Sequence, residues 1–291
     1  VSFGSGWVGV GLSYETQITG EIMTTVAEVP RVIGYHERDE LSSSEVATYL
    51  NDPIEWYHLY VKKDWKKEVT DAMKFGTAIH SMIEHGGSET IVKEIPESVL
   101  NADGHCKGKP WLDWKRDNPA EMYLKPGEPN PLKIIWEHLQ ANSFCKYLMQ
   151  VGKKEVEHFW DDPDMGACRM KMDVSTPVLF ADWKTTTKTC PRTFAADAFS
   201  RFYDVRLAFY RMGFRDLHGC NPEVYIVSIC TTGGMKVTPF LMPDAWLEEA
   251  EARLILAVDD MARFDIRKYL DSDPVALTKP AYATLDLESV E

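Results

Sequence analysis

Residues 168–186 read Cys168-Arg169-Met170-Lys171-Met172-Asp173-Val174-Ser175-Thr176-Pro177-Val178-Leu179-Phe180-Ala181-Asp182-Trp183-Lys184-Thr185-Thr186. Cys168 to Val174 alternates basic and apolar side chains, as a half-exposed strand does. After Pro177 the run Val178-Leu179-Phe180-Ala181 is short and apolar, as expected of a buried strand, and it stops abruptly at Asp182-Trp183-Lys184. Alternation puts Asp182 and Lys184 on one face of their strand, roughly 6–7 Å apart along it. A hairpin through Ser175 to Pro177 brings Asp173 beside Asp182. Two carboxylates and an ammonium then converge at a strand end, next to an apolar sheet.

Phosphodiester hydrolysis needs such a set. Carboxylates hold Mg²⁺ through hard oxygen ligands. The metal polarises the phosphate and activates water. A nearby lysine orients or deprotonates the water, or offsets transition-state charge. Two unpaired carboxylates beside an apolar strand are costly to bury, and a bound cation resolves that conflict. A bare D…DxK pattern is short, however, and taken alone it also describes a solvated hairpin with an ordinary Asp–Lys pair.

Outward from this stretch, Glu155 to Trp160 is strand-like, and Asp161 to Gly166 is a turn. Downstream, Phe194, Ala198, Phe202, Val205, Phe209 and Met212 recur at helical steps and predict one long helix over 191–214. Strands at 223–230 and 235–241 and a helix over 244–269 complete that half. Upstream, Ser42 and Glu45 have capping-box spacing before an apolar stripe. A short aromatic helix starts at Asp52-Pro53, a helix over 70–85 carries His80, and another spans 131–150. Residues 86–131 hold most of the Gly and Pro turn signals and read as a long, partly irregular insertion. The order gives an α/β fold with a mixed central β-sheet flanked by helices. The expected divisions are an N-terminal arm at 1–34, one domain at 35–270 and a C-terminal tail at 271–291.

The 291 residues carry a net charge of −13 and 44% hydrophobic content. Such a balance excludes a disordered chain and argues against a passive nucleic-acid binder. Charge placement says more than the sum. From Lys184 to Arg215 there are seven basic residues and two acidic ones, and the acidic excess lies elsewhere, notably in 243–273. An enzyme with a basic groove on an acidic body fits that distribution. The six cysteines are scattered, with no CxxC pair, which disfavours structural zinc and iron–sulfur spacing. No apolar run approaches the ~20 residues of a membrane span. Free thiols and a cytoplasmic location are the expectation.

Taken jointly, these segments resemble the RecE-type (exonuclease VIII) branch of the PD-(D/E)xK nucleases, relatives of lambda exonuclease and the RecB nuclease domain. The resemblance runs over roughly 35–240. It rests on Lys154 to Trp160, Cys168 to Asp173, Ala181 to Thr186 and Tyr203-Asp204-Val205-Arg206-Leu207-Ala208-Phe209-Tyr210, with Leu41 to Ser44 and Phe75 to His80 in the same order upstream. It implies a restriction-endonuclease-like PD-(D/E)xK core. Asp173 and Asp182 become metal ligands, Lys184 the catalytic lysine, His80 and the Trp183 carbonyl further ligands, and Glu155 an acidic group of the site. The implied cofactor is Mg²⁺, with Mn²⁺ able to substitute, and no iron–sulfur cluster. The implied reaction is exonucleolytic hydrolysis of double-stranded DNA, 5′ to 3′, leaving 3′ single strands for recombination. A homo-oligomeric ring, a single-strand annealing partner and a phage origin go with it. Tyr203, Arg206 and Tyr210 become DNA contacts, although Arg206 stands where the family usually carries Gln. Ser42 and Ser44, at a helix N-terminus, are candidates for a 5′-phosphate or plain caps. Trp56, Tyr57, Tyr60 and Trp65 lie among lysines and suit either stacking on DNA ends or core packing. The alternatives are an endonuclease or single-strand nuclease on the same core, or an inactive DNA-end-binding protein.

Overall fold

The computed structural model describes residues 35, 38–87, 92–120, 122–188 and 190–267. The expected arm at 1–34 and tail at 271–291 lie outside them, and the described residues from Glu40 on form one compact unit. Strand β1 (Leu41–Ser42) runs into helix α1 (Ser43–Asn51). Next come α2 (Pro53–Trp56), a π-helical turn at Tyr57–Val61, and α3 (Asp71–Glu84). Then β2 (Val92–Glu94), α4 (Lys109–Asp117), β3 (Met122–Leu124), α5 (Pro131–Ala141) and α6 (Ser143–Val151) follow. The central strands β4 (Lys153–Asp162), β5 (Gly166–Ser175) and β6 (Leu179–Thr186) lead into α7 (Pro191–Ser200), α8 (Tyr203–His218), β7 (Glu223–Cys230), β8 (Val237–Leu241) and α9 (Asp244–Ala262).

Six strands make one mixed sheet. The pairs β4–β5, β5–β6 and β7–β8 are antiparallel, whereas β6–β7 and β1–β5 are parallel. A parallel neighbour needs a crossover connection, and α7 with α8 supplies it between β6 and β7. Alternation along β6 feeds two separate cores. Phe180 packs in a cluster with Val46 of α1, Phe209 and Phe214 of α8, and Leu247 and Leu254 of α9. Ala181 and Trp183 pack in another with Ile79 and Met82 of α3 and with Ile135 and Leu139 of α5. The strand is thus covered on both faces, which is why it reads as an unbroken apolar run.

Local chemistry sets the ends of the helices. Ser42 caps α1, its Oγ accepting from the Glu45 N–H at 3.3 Å, and Glu45 accepts from the Trp56 indole. Thr70 caps α3 by accepting from the Met73 N–H.

Two expectations are corrected. The helix expected over 131–150 is two helices, because Asn142 leaves helical geometry (ψ 115) and its side chain caps the second by accepting from the Cys145 N–H at 3.0 Å. The long helix expected over 191–214 is also two, broken at Phe202, which sits in the left-handed region (φ 56). No glycine or proline announces that break, and an L-residue there costs roughly 1–2 kcal/mol. Within the insertion, β2 and β3 pair in parallel, and Trp111 and Trp114 of α4 pack on Tyr123 of β3. No helix among the described residues is long and apolar enough to cross a membrane.

Candidate active site

The β5–β6 ladder holds only two residue pairs, Val174 with Ala181 and Ser175 with Phe180. The next step of that register opposes Asp173 to Asp182, and there the strands part. The parting leaves the Trp183 N–H without a ladder partner, and a buried backbone donor must find another. Asp173 provides it: its Oδ2 accepts from the Trp183 N–H at 2.7 Å. The carbonyl of the same residue is met from the other side by α3. His80 Nε2–H donates to the Trp183 oxygen at 3.0 Å. Because a carbonyl only accepts, that ring nitrogen carries a proton. His80 Nδ1 then lies 3.5 Å from Asp173 Oδ1.

Asp182 is buried at 5% exposure and forms an ion pair with Lys184 two residues on. The Lys184 ammonium is the partner of Asp182 Oδ2, a buried oxygen for which no other hydrogen bond occurs among the described residues. Lys184 also lies 5.5 Å from the centre of the Tyr203 ring.

Opposite Asp173, β4 contributes Glu155. Its backbone is left-handed (φ 51) within a strand. Its carboxylate pairs with Lys171 at 2.7 Å, and the ligand-capable atoms of His80, Glu155 and Asp173 all lie within 4.8 Å of one another.

The charges couple strongly. Burial pushes the Asp173 carboxyl up, but His80, Lys184 and the Trp183 N–H together outweigh it and hold it below the ordinary carboxylate range. Asp182 goes the other way. Burial and the Asp173 charge raise it, with Lys184 pulling back only in part. Burial disfavours the Lys184 ammonium, yet Asp182 and Asp173 reverse that and keep it charged. His80 is raised for the same reason: the Asp173 carboxylate overrides its desolvation. The site gathers negative charge that its own cations balance only locally.

The structure therefore brings His80, Glu155, Asp173, Asp182, Trp183 and Lys184 together. Tyr203, Arg206 and Tyr210 sit at i, i+3 and i+7 on α8, so they share one face of it. Burial and the nearby Asp182 raise the Tyr210 hydroxyl, and Ser43 beside it offsets this only in part. The buried Nε of Arg206 has no partner among the described residues. Ser42 Oγ is engaged in capping and lies 3.1 Å from Ser44 Oγ. The serine that reaches the Tyr210 side is Ser43, the middle residue of the Ser42-Ser43-Ser44 run. Trp56 is core, whereas Trp65 is half exposed and stacks on His58. A cleft of about 620 Å³ opens beside His80. Thr185 and Thr186, which follow Lys184 in the quoted motif, line it, together with Thr187 and Arg201, which were not singled out as site residues.

Comparison with known proteins agrees with this geometry. Residues 55–263, most of the chain, match the family profile described as a PDDEXK-like domain of unknown function (DUF3799). No curated protein matches. Among solved structures, a "putative exonuclease" from Eubacterium rectale superposes with a TM-score of 0.58 at 16% identity, covering 90% of this chain and 96% of that one. At that identity the likeness speaks for the fold. A mixed sheet flanked by helices, with the D…DxK residues at a parted hairpin and a profile match across most of the length, leads to one assignment: the chain belongs to the PDDEXK-like domain family.

Proposed function

We propose that this chain is a divalent-cation-dependent nuclease that hydrolyses double-stranded DNA from an end, 5′ to 3′, leaving 3′ single strands for recombination. The observation that carries the reading is the meeting of His80, Glu155, Asp173, Asp182 and Lys184 where β5 and β6 part. The donors suit an oxygen-seeking divalent cation such as Mg²⁺ or Mn²⁺: carboxylates, one carbonyl and one imidazole. Asp182 Oδ2, buried and matched only by the Lys184 ammonium, is an oxygen that a metal cation can share. His80, Asp173, Asp182 and the Trp183 carbonyl are the proposed ligands, with Glu155 beside them. Bound there, the cation supplies polarisation of the scissile phosphate and activation of water.

The chain's own groups do the rest. Asp173 holds the Trp183 N–H, and His80 meets the Trp183 carbonyl, so the backbone is tied on both sides of that residue. His80 is held on α3 by a buried helix face, so it approaches from outside the sheet as a rigid donor. The Lys184 ammonium offsets charge on the phosphate oxygens, and Tyr203 limits where it swings. Arg206, with an unpartnered Nε between two tyrosines, is placed to grip a phosphate through its planar fork. A ring of copies, acidic outside and basic toward the DNA, is the assembly that reconciles the net charge of −13 with this substrate, and a single-strand annealing protein is the proposed partner.

The test is digestion of linear duplexes labelled at the 5′ or the 3′ end, with a closed circle in parallel. Nucleotide release in Mg²⁺ from 5′ ends, an intact circle, and no release in EDTA or with Asp182→Ala are the expected results. Cutting of the circle indicates an endonuclease on the same core. DNA binding without turnover in Mg²⁺ or Mn²⁺ ends the enzymatic reading.

A further inference from the structure

The cleft beside His80 has a wall chemistry of its own. Thr185, Thr187, Arg201 and Tyr203 line it together with His80. Asp197 is the one carboxylate in that lining, and Arg201 Nε donates to it at 3.1 Å. In a chain of net charge −13, this cleft is left with no unmatched negative charge and with several donors. The Thr185 and Thr187 hydroxyls make no hydrogen bond to another described residue. Arg201 is 60% exposed at its side chain. Its bond to Asp197 occupies only part of its five N–H donors.

The backbone explains why these groups stand together. Arg201 is the last cap of α7 and Tyr203 the first residue of α8, and the left-handed Phe202 between them turns the chain. Arg201 and Tyr203 thereby reach the same cleft, which a continuous helix would not arrange, since residues two apart point to opposite sides of it.

We propose that Arg201 is a second phosphate-binding residue, distinct from Arg206. It takes a backbone phosphate of the DNA strand lying in this cleft, next to the scissile one. The Thr185 and Thr187 hydroxyls supply further donors, and Asp197 is a positioning residue that holds the guanidinium at the lip. A planar fork of N–H donors fits a phosphate in two-point fashion. The proposal rests on the reading of the chain as a DNA nuclease.

The test is fluorescence anisotropy with a labelled duplex in Ca²⁺ across a salt series, alongside steady-state kinetics in Mg²⁺. For Arg201→Ala the expected loss of affinity is about 10–100-fold, with the slope of log K against log salt smaller by about one, as for one lost phosphate contact. The loss should appear in KM with kcat held, as when uniform binding is removed. Arg201→Lys keeps the slope and recovers part of the affinity, lacking the fork. Asp197→Ala weakens binding less than Arg201→Ala with the slope unchanged, and Asp197→Asn, which still accepts a hydrogen bond, restores it. Wild-type affinity and slope in Arg201→Ala overturn the proposal while leaving the nuclease reading intact. A wild-type protein that releases no nucleotides, but whose DNA affinity still falls with Arg201→Ala, ends the nuclease reading and keeps this contact. A wild-type protein that does not bind DNA ends both.

Discussion

Replacing Glu155 by glycine and by alanine separates its backbone from its carboxylate. Glu155 holds φ 51 inside a strand, a conformation that costs an L-residue roughly 1–2 kcal/mol. Both variants lose the pair with Lys171, 2.7 Å long with side chains 30% and 24% exposed, which is worth about 0.2–1 kcal/mol at such a site. Alanine keeps the backbone strain. Glycine releases it, but gives back about 0.5–1 kcal/mol through its greater freedom when unfolded. The glycine variant should therefore be the more stable of the two by roughly 0.5–1 kcal/mol. For a chain of this size that is a difference of about 1–4 °C in Tm. Urea unfolding and thermal melts in EDTA measure it without interference from bound cations. Both variants should lose about 10–100-fold in cation affinity or in nucleotide release, the usual effect of removing a group that supports a metal site. An alanine variant as stable as the glycine one refutes the argument from backbone geometry. Wild-type turnover in both refutes a place for Glu155 in the site.

Three further outcomes are expected. Lys184→Met leaves Asp182 buried at 5% exposure without its counter-charge, so unfolding in EDTA should show a loss of about 3–5 kcal/mol, partly recovered in Mn²⁺, with hydrolysis abolished in either condition. Wild-type protein should gain about 2.7 kcal/mol of stability when Mg²⁺ or Mn²⁺ stands at a hundred times its Kd, and Asp173→Ala should melt at the same temperature with or without the ion. Gly213→Ala sets a methyl 2.6 Å from Met170 Sδ and 2.9 Å from the Trp160 ring. That overpacking should cost about 1–3 kcal/mol in chemical unfolding while leaving nucleotide release per folded molecule unchanged.

What was legible in the sequence was local and periodic. Two-residue alternation gave the β5–β6 hairpin and the shared face of Asp182 and Lys184, because strand geometry admits few other arrangements. The capping residue Ser42 gave a helix start, because a cap side chain meets the free N–H groups of the first turn. The two helix breaks were hidden in different ways. At Phe202 the apolar stripe runs straight through, and a bulky residue takes a conformation it normally avoids, so tertiary packing overrode propensity. At Asn142 the capping residue is visible, but the apolar spacing continues across it. The left-handed turn at Glu155 was invisible because its neighbours alternate as any strand does. The contact of His80 with the Trp183 carbonyl spans 103 residues, which no local pattern encodes. Only family resemblance pointed to that histidine, and it did not single out Thr187 or Arg201.

Strand β6 lies on the seam between the two apolar clusters, with Phe180 belonging to one and Ala181 and Trp183 to the other. Neither half of the molecule can loosen without tilting the segment that presents Asp182 and Lys184. Catalytic output therefore acts as a gauge of cooperative integrity: along a denaturant titration, turnover should vanish in step with the main unfolding transition, with no partially melted form that still cuts.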